Sequence, residues 1–214
     1  MLSASRVLAI EESAWFQTRW APYALIDANL RIRAVNNAYE DASSHPRDSL
    51  LGRELFDAFP DNPDNPEADG VANLSASMER VFRRGSRHWM GVQRYDIPDP
   101  NTRGEFVYRV WTPMNSPVKE GKKTIAVLHH VQDVTRVVPP KPPHMSYPQL
   151  SELRKATEVL RHQFPDLPIE TVLSVLAHSL SVVMEKSGTQ DFQLAEALAK
   201  VRLETHAGHP ADGS

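Results

Sequence analysis

The chain has 214 residues, 41% of them hydrophobic and 24% charged, with a net charge of −3 when His is counted as neutral. That size fits one or two domains with a real core. The charge gives no general drive toward nucleic acid or an anionic membrane. There is no cysteine, which excludes disulfides, thiolate zinc sites, iron–sulfur clusters and a cysteine nucleophile. No apolar run approaches the ~20 residues that span a bilayer. Met1 to Trp20 carries Glu11 and Glu12 inside its apolar stretch, unlike the core of a signal peptide, so a cytoplasmic protein without a membrane segment is expected.

In chain order, residues 5–18 predict a short helix with Val7, Ile10 and Trp15 near one face, within an N-terminal flanking region 1–20. Tyr23–Asp27 and Leu30–Val35 read as two strands joined by a turn at Asp27-Ala28-Asn29. Residues 37–59 hold short helical pieces broken by Pro46, Gly52 and Pro60. Asp61–Gly70 is a loop. A longer helix follows, with Val71, Leu74, Met78, Val81 and Phe82 at 3–4 spacing and Gly85 as its stop. Three strands are then expected: His88–Ile97, Glu105–Val118 and Thr124–Val131. Pro113 and Pro117 place the second at an edge or a bulge. This order fits an α+β fold, an antiparallel sheet with helices on one face.

The residues carry a family resemblance. Ala34-Val35-Asn36-Asn37-Ala38-Tyr39 looks like the second strand of a PAS domain entering its first helix. Ser49-Leu50-Leu51-Gly52-Arg53 resembles that family's E-L-L-G-R stretch, and Asp133-Val134-Thr135 resembles its closing D-[I/V]-T. The three motifs stand in order over about 115 residues, so residues 21–136 are read as a PAS domain of a bacterial sensor type, with a five-stranded antiparallel sheet. The resemblance implies a pocket between the long helix and the sheet, lined by Tyr39, Phe56, Leu74, Met78, Phe82, Val92 and Val110.

Pro139-Pro140-Lys141-Pro142-Pro143 marks 137–149 as a semi-rigid linker. Residues 150–206 then predict three amphipathic helices. The first carries Leu150, Leu153, Leu160 and Phe164, and the second runs from Ile169 to Met184. The third carries Phe192, Ala195, Leu198 and Val201. Residues 207–214 read as a disordered tail. This part is similar to the short three-helix dimerisation domains of actinobacterial proteins. The apolar stripe of the second helix looks too wide for three helices to cover. A homodimer is therefore expected, with Val7, Ile10, Trp15, Leu176, Leu180 and Val183 at its interface.

The residues name no catalytic site. A LOV-type flavin adduct needs a cysteine, and haem-binding PAS domains use a histidine on the long helix, which has none. Neither cofactor is expected. His88, just past that helix, reads as a surface histidine. His129 and His130 are adjacent on a strand and point to opposite faces, so they do not chelate one metal. One should face the core or pocket and the other solvent or a partner. Arg83, Arg84 and Arg87 read as a solvated helix end. Trp89, Tyr95, Phe106, Tyr108 and Trp111 read mainly as core or interface.

His178 is followed by Ser179 rather than an acid, and no ATP-binding region follows it, so a kinase acceptor is not supported. Ser146–His206 holds six basic against eight acidic residues, whereas phosphate binding needs a basic footprint. The reading is a sensory protein that binds a small ligand or a signalling partner and carries no catalysis. The alternative is a transcriptional regulator whose C-terminal helices contact DNA.

Overall fold

The computed structural model describes residues 2–136 and 147–207. The expected linker 137–149 falls largely on 137–146 and the expected tail 207–214 on 208–214, outside the described residues, while Ala207 still belongs to a helix. The chain forms two compact units, Met1–Asp133 and Val134–Ser214.

The first unit opens with helix α1 (Ala4–Glu11), whose Ser3 side chain accepts from the Arg6 amide. The helix is shorter than the periodicity predicts. Ser13 turns the chain back by donating its hydroxyl to the Ile10 carbonyl at 2.5 Å. This seats Phe16, which is wholly buried. Strands β1 (Tyr23–Asp27) and β2 (Ile32–Val35) follow. Asp27 Oδ1 accepts from the amides of Asn29 and Arg31 at 2.9 and 3.1 Å. That side-chain turn holds Leu30 in the left-handed region at φ 57°.

Three short helices come next: α2 (Asn37–Ser43), α3 (Arg47–Leu50) and α4 (Leu55–Ala58). Helix α5 (Gly70–Arg84) ends on Gly85 at φ 60°, where glycine pays no Cβ penalty.

The first two of the three strands expected after α5 form one long, interrupted hairpin. Its outgoing arm is β3 (His88–Trp89), β4 (Gln93–Arg94) and β5 (Ile97–Pro98). Its return arm is β6 (Phe106–Val107), β7 (Val110–Trp111) and β8 (Met114–Glu120). The break has a local cause. Gly91 adopts φ 72°. Opposite it, Pro113 offers no N–H, and only its carbonyl is used, accepting from the Met90 amide at 3.0 Å. Strand β9 (Lys123–His130) closes the sheet, whose order is β2-β1-β9-β8-β3 with every pairing antiparallel. Since β3 covers β8 only at Met114 and Asn115, Pro117 lies on an open edge, where a proline is tolerated.

Both faces of the sheet are covered. Ile26, Val35, Leu55, Leu74, Met78, Val81 and Val127 form the core on the helical side. On the other face Leu2, Ile10 and Phe16 pack with Leu25, Ala34 and Ile125.

The second unit is three helices: α6 (Tyr147–Gln163), α7 (Ile169–Ser187) and α8 (Phe192–Ala207). Helix α6 starts at Tyr147, three residues ahead of the expected 150. The broad stripe of α7 is covered within the chain, because Leu176, Leu180 and Val183 are all buried. They therefore offer no open face to a second copy, which corrects the expectation. Helix α8 presents Ala195, Ala199 and Leu203, all fully buried, on one seam. Two alanines there allow close approach to α7, whereas Val201 and Leu194 are exposed.

Asn36 ties the first unit together. Its fully buried amide accepts from the backbone N–H of Tyr23 and Tyr39, both at 2.9 Å. It donates to the carbonyls of Phe16 (2.7 Å), Thr18 (3.2 Å) and Ala21 (2.8 Å). Asn36→Asp places an oxygen against three carbonyl oxygens. It is expected to cost about 3 kcal/mol or more, read as a lower urea midpoint in equilibrium unfolding. An unchanged midpoint would show that the amide is not the tie described.

Candidate functional site

The break in the hairpin leaves a cavity of about 50 Å³ inside the first unit. Tyr39 of α2, Leu55 and Phe59 around α4, and Gly70 and Leu74 of α5 line its helical side. Met90, Gln93, Tyr95, Ile97, Trp111 and Pro113 of the hairpin, with His129 and Val131 from the end of β9, line the other. None of the lining residues is an Asp, Glu, Lys or Arg.

Hydrogen bonds fix these walls. Tyr95 donates its hydroxyl to the Phe59 carbonyl, and Trp111 Nε1 donates to the Tyr95 carbonyl at 2.8 Å. Gln93 accepts from Asn73 of α5 at 3.0 Å and donates to the Met90 carbonyl at 2.8 Å, pinning hairpin to helix. Gly70 is required by packing: a Cβ there would stand 2.1 Å from Tyr95 Cδ2. Tyr39 stands edge-on to Phe59 and to His129, with ring centroids 6.4 and 6.3 Å apart.

A line of polar side chains leaves this cavity. His129 Nδ1 lies 2.7 Å from Asn115 Oδ1, and Asn115 Nδ2 donates to Ser77 Oγ at 2.7 Å. Ser77 Oγ is in turn 2.8 Å from His88 Nδ1. Asn115 and Ser77 are buried, and their hydrogen bonds offset the cost of holding polar groups in the core. Burial lowers the pKa of His129 to about 3, and the neighbouring His130 adds to the effect. His129 is therefore neutral at physiological pH. Burial also raises the Tyr39 hydroxyl well above its ordinary value. Tyr95 is raised by burial first and by the Asp61 carboxylate second.

Of the residues expected to line the pocket, Tyr39 and Leu74 do so. Met78 and Phe82 lie one and two turns further along α5, facing a second, open concavity beside Arg83, Arg84, Lys119, Lys122 and Lys123. Val92 and Val110 are buried away from the cavity, and Phe56 packs half-buried against the core. The cavity sits at the N-terminal end of α5, so helical period identified the right face and the wrong turns. His129 faces the cavity while His130 packs against Tyr23 at 5.2 Å, as alternation along a strand requires. His88 is not a free surface group, because it bonds to Ser77. Sequence reasoning left Phe59 unassigned, read Tyr95 and Trp111 mainly as core or interface, and did not choose between His129 and His130 for the pocket.

Among the expected interface residues, Ile10 is buried on the chain's own sheet, Val7 is half-buried there, and Trp15 stays half exposed. Among the described residues, no group of three His, Asp or Glu side chains is placed to hold a metal ion. No described helix is long and apolar enough to cross a membrane.

This architecture, an antiparallel sheet with a cavity under its long helix, is that of a sensory domain. The sequence profile described as the PAS fold matches residues 17–139, more than half the chain, and the chain belongs to the PAS family. No curated protein matches the sequence. Among solved structures, a PAS domain from Colwellia psychrerythraea is 11% identical, covering 62% of this chain and 96% of its own, with a TM-score of 0.43. The PAS domain of nitrogen regulation protein NR(II) from Vibrio parahaemolyticus is 13% identical over 61% of this chain and 99% of its own, with a TM-score of 0.37. The Vibrio cholera VqmA–ligand–DNA complex is 15% identical over 88% of this chain and 86% of its own, with a TM-score of 0.44.

The neutral His129 makes a signed prediction. Its folded pKa of about 3 lies below the unfolded value of 6.5. The unfolded chain therefore binds a proton that the folded chain refuses, and stability falls as pH drops through the window from 6.5 to 3. Above that window the group contributes no slope. His129→Asn should flatten stability against pH between pH 6.5 and 4.5 in urea titrations. A variant with the wild-type slope would show that His129 is not the group responsible.

Proposed function

We propose that this chain is a cytoplasmic signalling protein whose PAS domain binds a compact, predominantly apolar small molecule and has no catalytic activity of its own. The observation that carries this reading is the cavity itself. Native interiors are close-packed, and a cavity walled by Tyr39, Leu74, Tyr95 and Trp111 with a few convergent polar groups is the usual form of a ligand site. A ligand there touches α5 and the hairpin at once. Preferring one packing of the two, it shifts the population toward that packing, and the C-terminal helices pass on the state. With Leu176, Leu180 and Val183 spent inside their own unit, self-association would fall to exposed apolar groups such as Leu8, Trp15 and Trp20.

Native mass spectrometry of the full chain purified from bacterial cells tests both halves together. The expected species is a dimer carrying about one small molecule per chain. Leu74→Phe, which fills the cavity with a larger apolar side chain, should lose the ligand while keeping the circular dichroism of the wild type. A chain that arrives empty and takes up none of a set of single-ring aromatic compounds removes the ligand reading. A monomer at tens of micromolar removes the dimer. Salt-dependent DNA affinity would assign the C-terminal helices to DNA instead.

A further inference from the structure

We infer that the cavity selects an uncharged ligand with one hydrogen-bonding hydroxyl or N–H group, which donates a hydrogen bond to His129 Nε2 and accepts one from the Tyr39 hydroxyl. This rests on the ligand-binding reading above and adds the chemistry of the ligand. Three observations support it.

The first is the tautomer of His129. Asn115 turns its amide so that Nδ2 donates to Ser77 Oγ, and the same nitrogen lies 3.4 Å from the Met90 sulfur, a weak acceptor. That leaves Oδ1 facing His129 Nδ1. An oxygen there can only accept, so Nδ1 carries the ring proton and Nε2 is a bare lone pair. The second is unspent capacity. His129 and Tyr39 are 3% and 4% exposed, and both line the cavity. Among the described residues, neither His129 Nε2 nor the Tyr39 hydroxyl has a hydrogen-bond partner. A ligand with a donor next to an acceptor lone pair satisfies both. The third is charge. No lining residue carries a counterion for a cationic or anionic ligand, and burying an unpaired charge is far more costly than burying a dipole. Both rings stay un-ionised at neutral pH, His129 because its pKa lies near 3.

The test uses phenol and its isostere toluene as probes on the full chain, with benzoate as the charged control and affinities read by titration calorimetry. Hydrophobic transfer favours toluene, so the informative quantity is the phenol-to-toluene affinity ratio. His129→Asn keeps a polar atom near Asn115 and removes Nε2. Tyr39→Phe removes only the hydroxyl. Each should lower the ratio by on the order of tenfold, because a lost buried hydrogen bond is felt by phenol alone. In the wild type, phenol and not toluene should move the ¹⁵N resonance of His129 Nε2. This readout stands even if a variant fails to fold.

Phenol and toluene both binding, with a ratio that neither variant changes and no ¹⁵N shift, would overturn the polarity rule. That result leaves the cavity as an apolar site whose two polar atoms are met by water. Benzoate binding more tightly than phenol would overturn the neutral-ligand requirement. Failure of every probe to enter the wild-type cavity, with Leu74→Phe indistinguishable from wild type, would overturn the ligand reading on which this inference rests.

Discussion

One buried carboxamide sets the geometry of the first unit. The Asn36 amide meets three carbonyl oxygens with two hydrogens, so one of those contacts is shared, and its oxygen takes two backbone N–H groups. The partners lie in the segment after α1, at the start of β1 and in the first turn of α2. No other side-chain type offers two donors and two acceptor lone pairs in so compact a form. By capping α2, Asn36 fixes where Tyr39 emerges. Tyr39 then closes one wall of the cavity against Phe59 and His129.

The opposite wall depends on a defect in strand pairing. A continuous hairpin from His88 to Glu120 would lay its side chains flat against α5 and leave no room. Gly91 and Pro113 prevent that ladder from forming. The backbone groups this frees are not wasted: the carbonyl of Pro113, the carbonyl of Met90 and the carbonyl of Tyr95 all accept hydrogen bonds. These carbonyls keep their partners while the arms stay apart, the buried Thr112 hydroxyl being left without a hydrogen bond among the described residues, and an opening persists where a close-packed core would otherwise be expected.

Much of the fold was legible in the sequence because the periodicities are strong. Leu74, Met78 and Val81 announce α5, the alternation around Ile32 announces β2, and the apolar run from Ile125 announces β9. The order of strands and helices, with the motifs at Asn36, Gly52 and Asp133, was enough for the PAS family. What was not legible depends on contacts between distant residues. Phe16 looks like one more residue of an exposed helix until Ser13 turns the chain and the sheet covers it. Tyr95 and Trp111 look like ordinary strand aromatics, since only the break at Gly91 and Pro113 turns them toward a cavity. The stripe on α7 looked uncovered because helical faces were judged one at a time. The alanines of α8 let two helices approach closely enough to bury it. His129 and Asn115 are fourteen residues apart in sequence, and their pairing follows from the β8–β9 register that sets them opposite each other.

The line from His129 through Asn115 and Ser77 to His88 also has a direction. With Nδ1 of His129 protonated, Asn115 shows an N–H to Ser77, whose hydroxyl is then free to donate to His88 Nδ1. A guest that accepted from His129 Nε2, instead of donating to it, would require the other tautomer. Asn115 would then have to rotate its amide half a turn and show Ser77 an oxygen. Ser77 would turn its own hydrogen toward that oxygen, and His88 would have to take up the donor role. With a guest bound in that sense, the direction of one hydrogen bond inside the cavity would set which group donates between Ser77 and His88, a histidine on the outermost strand of the sheet.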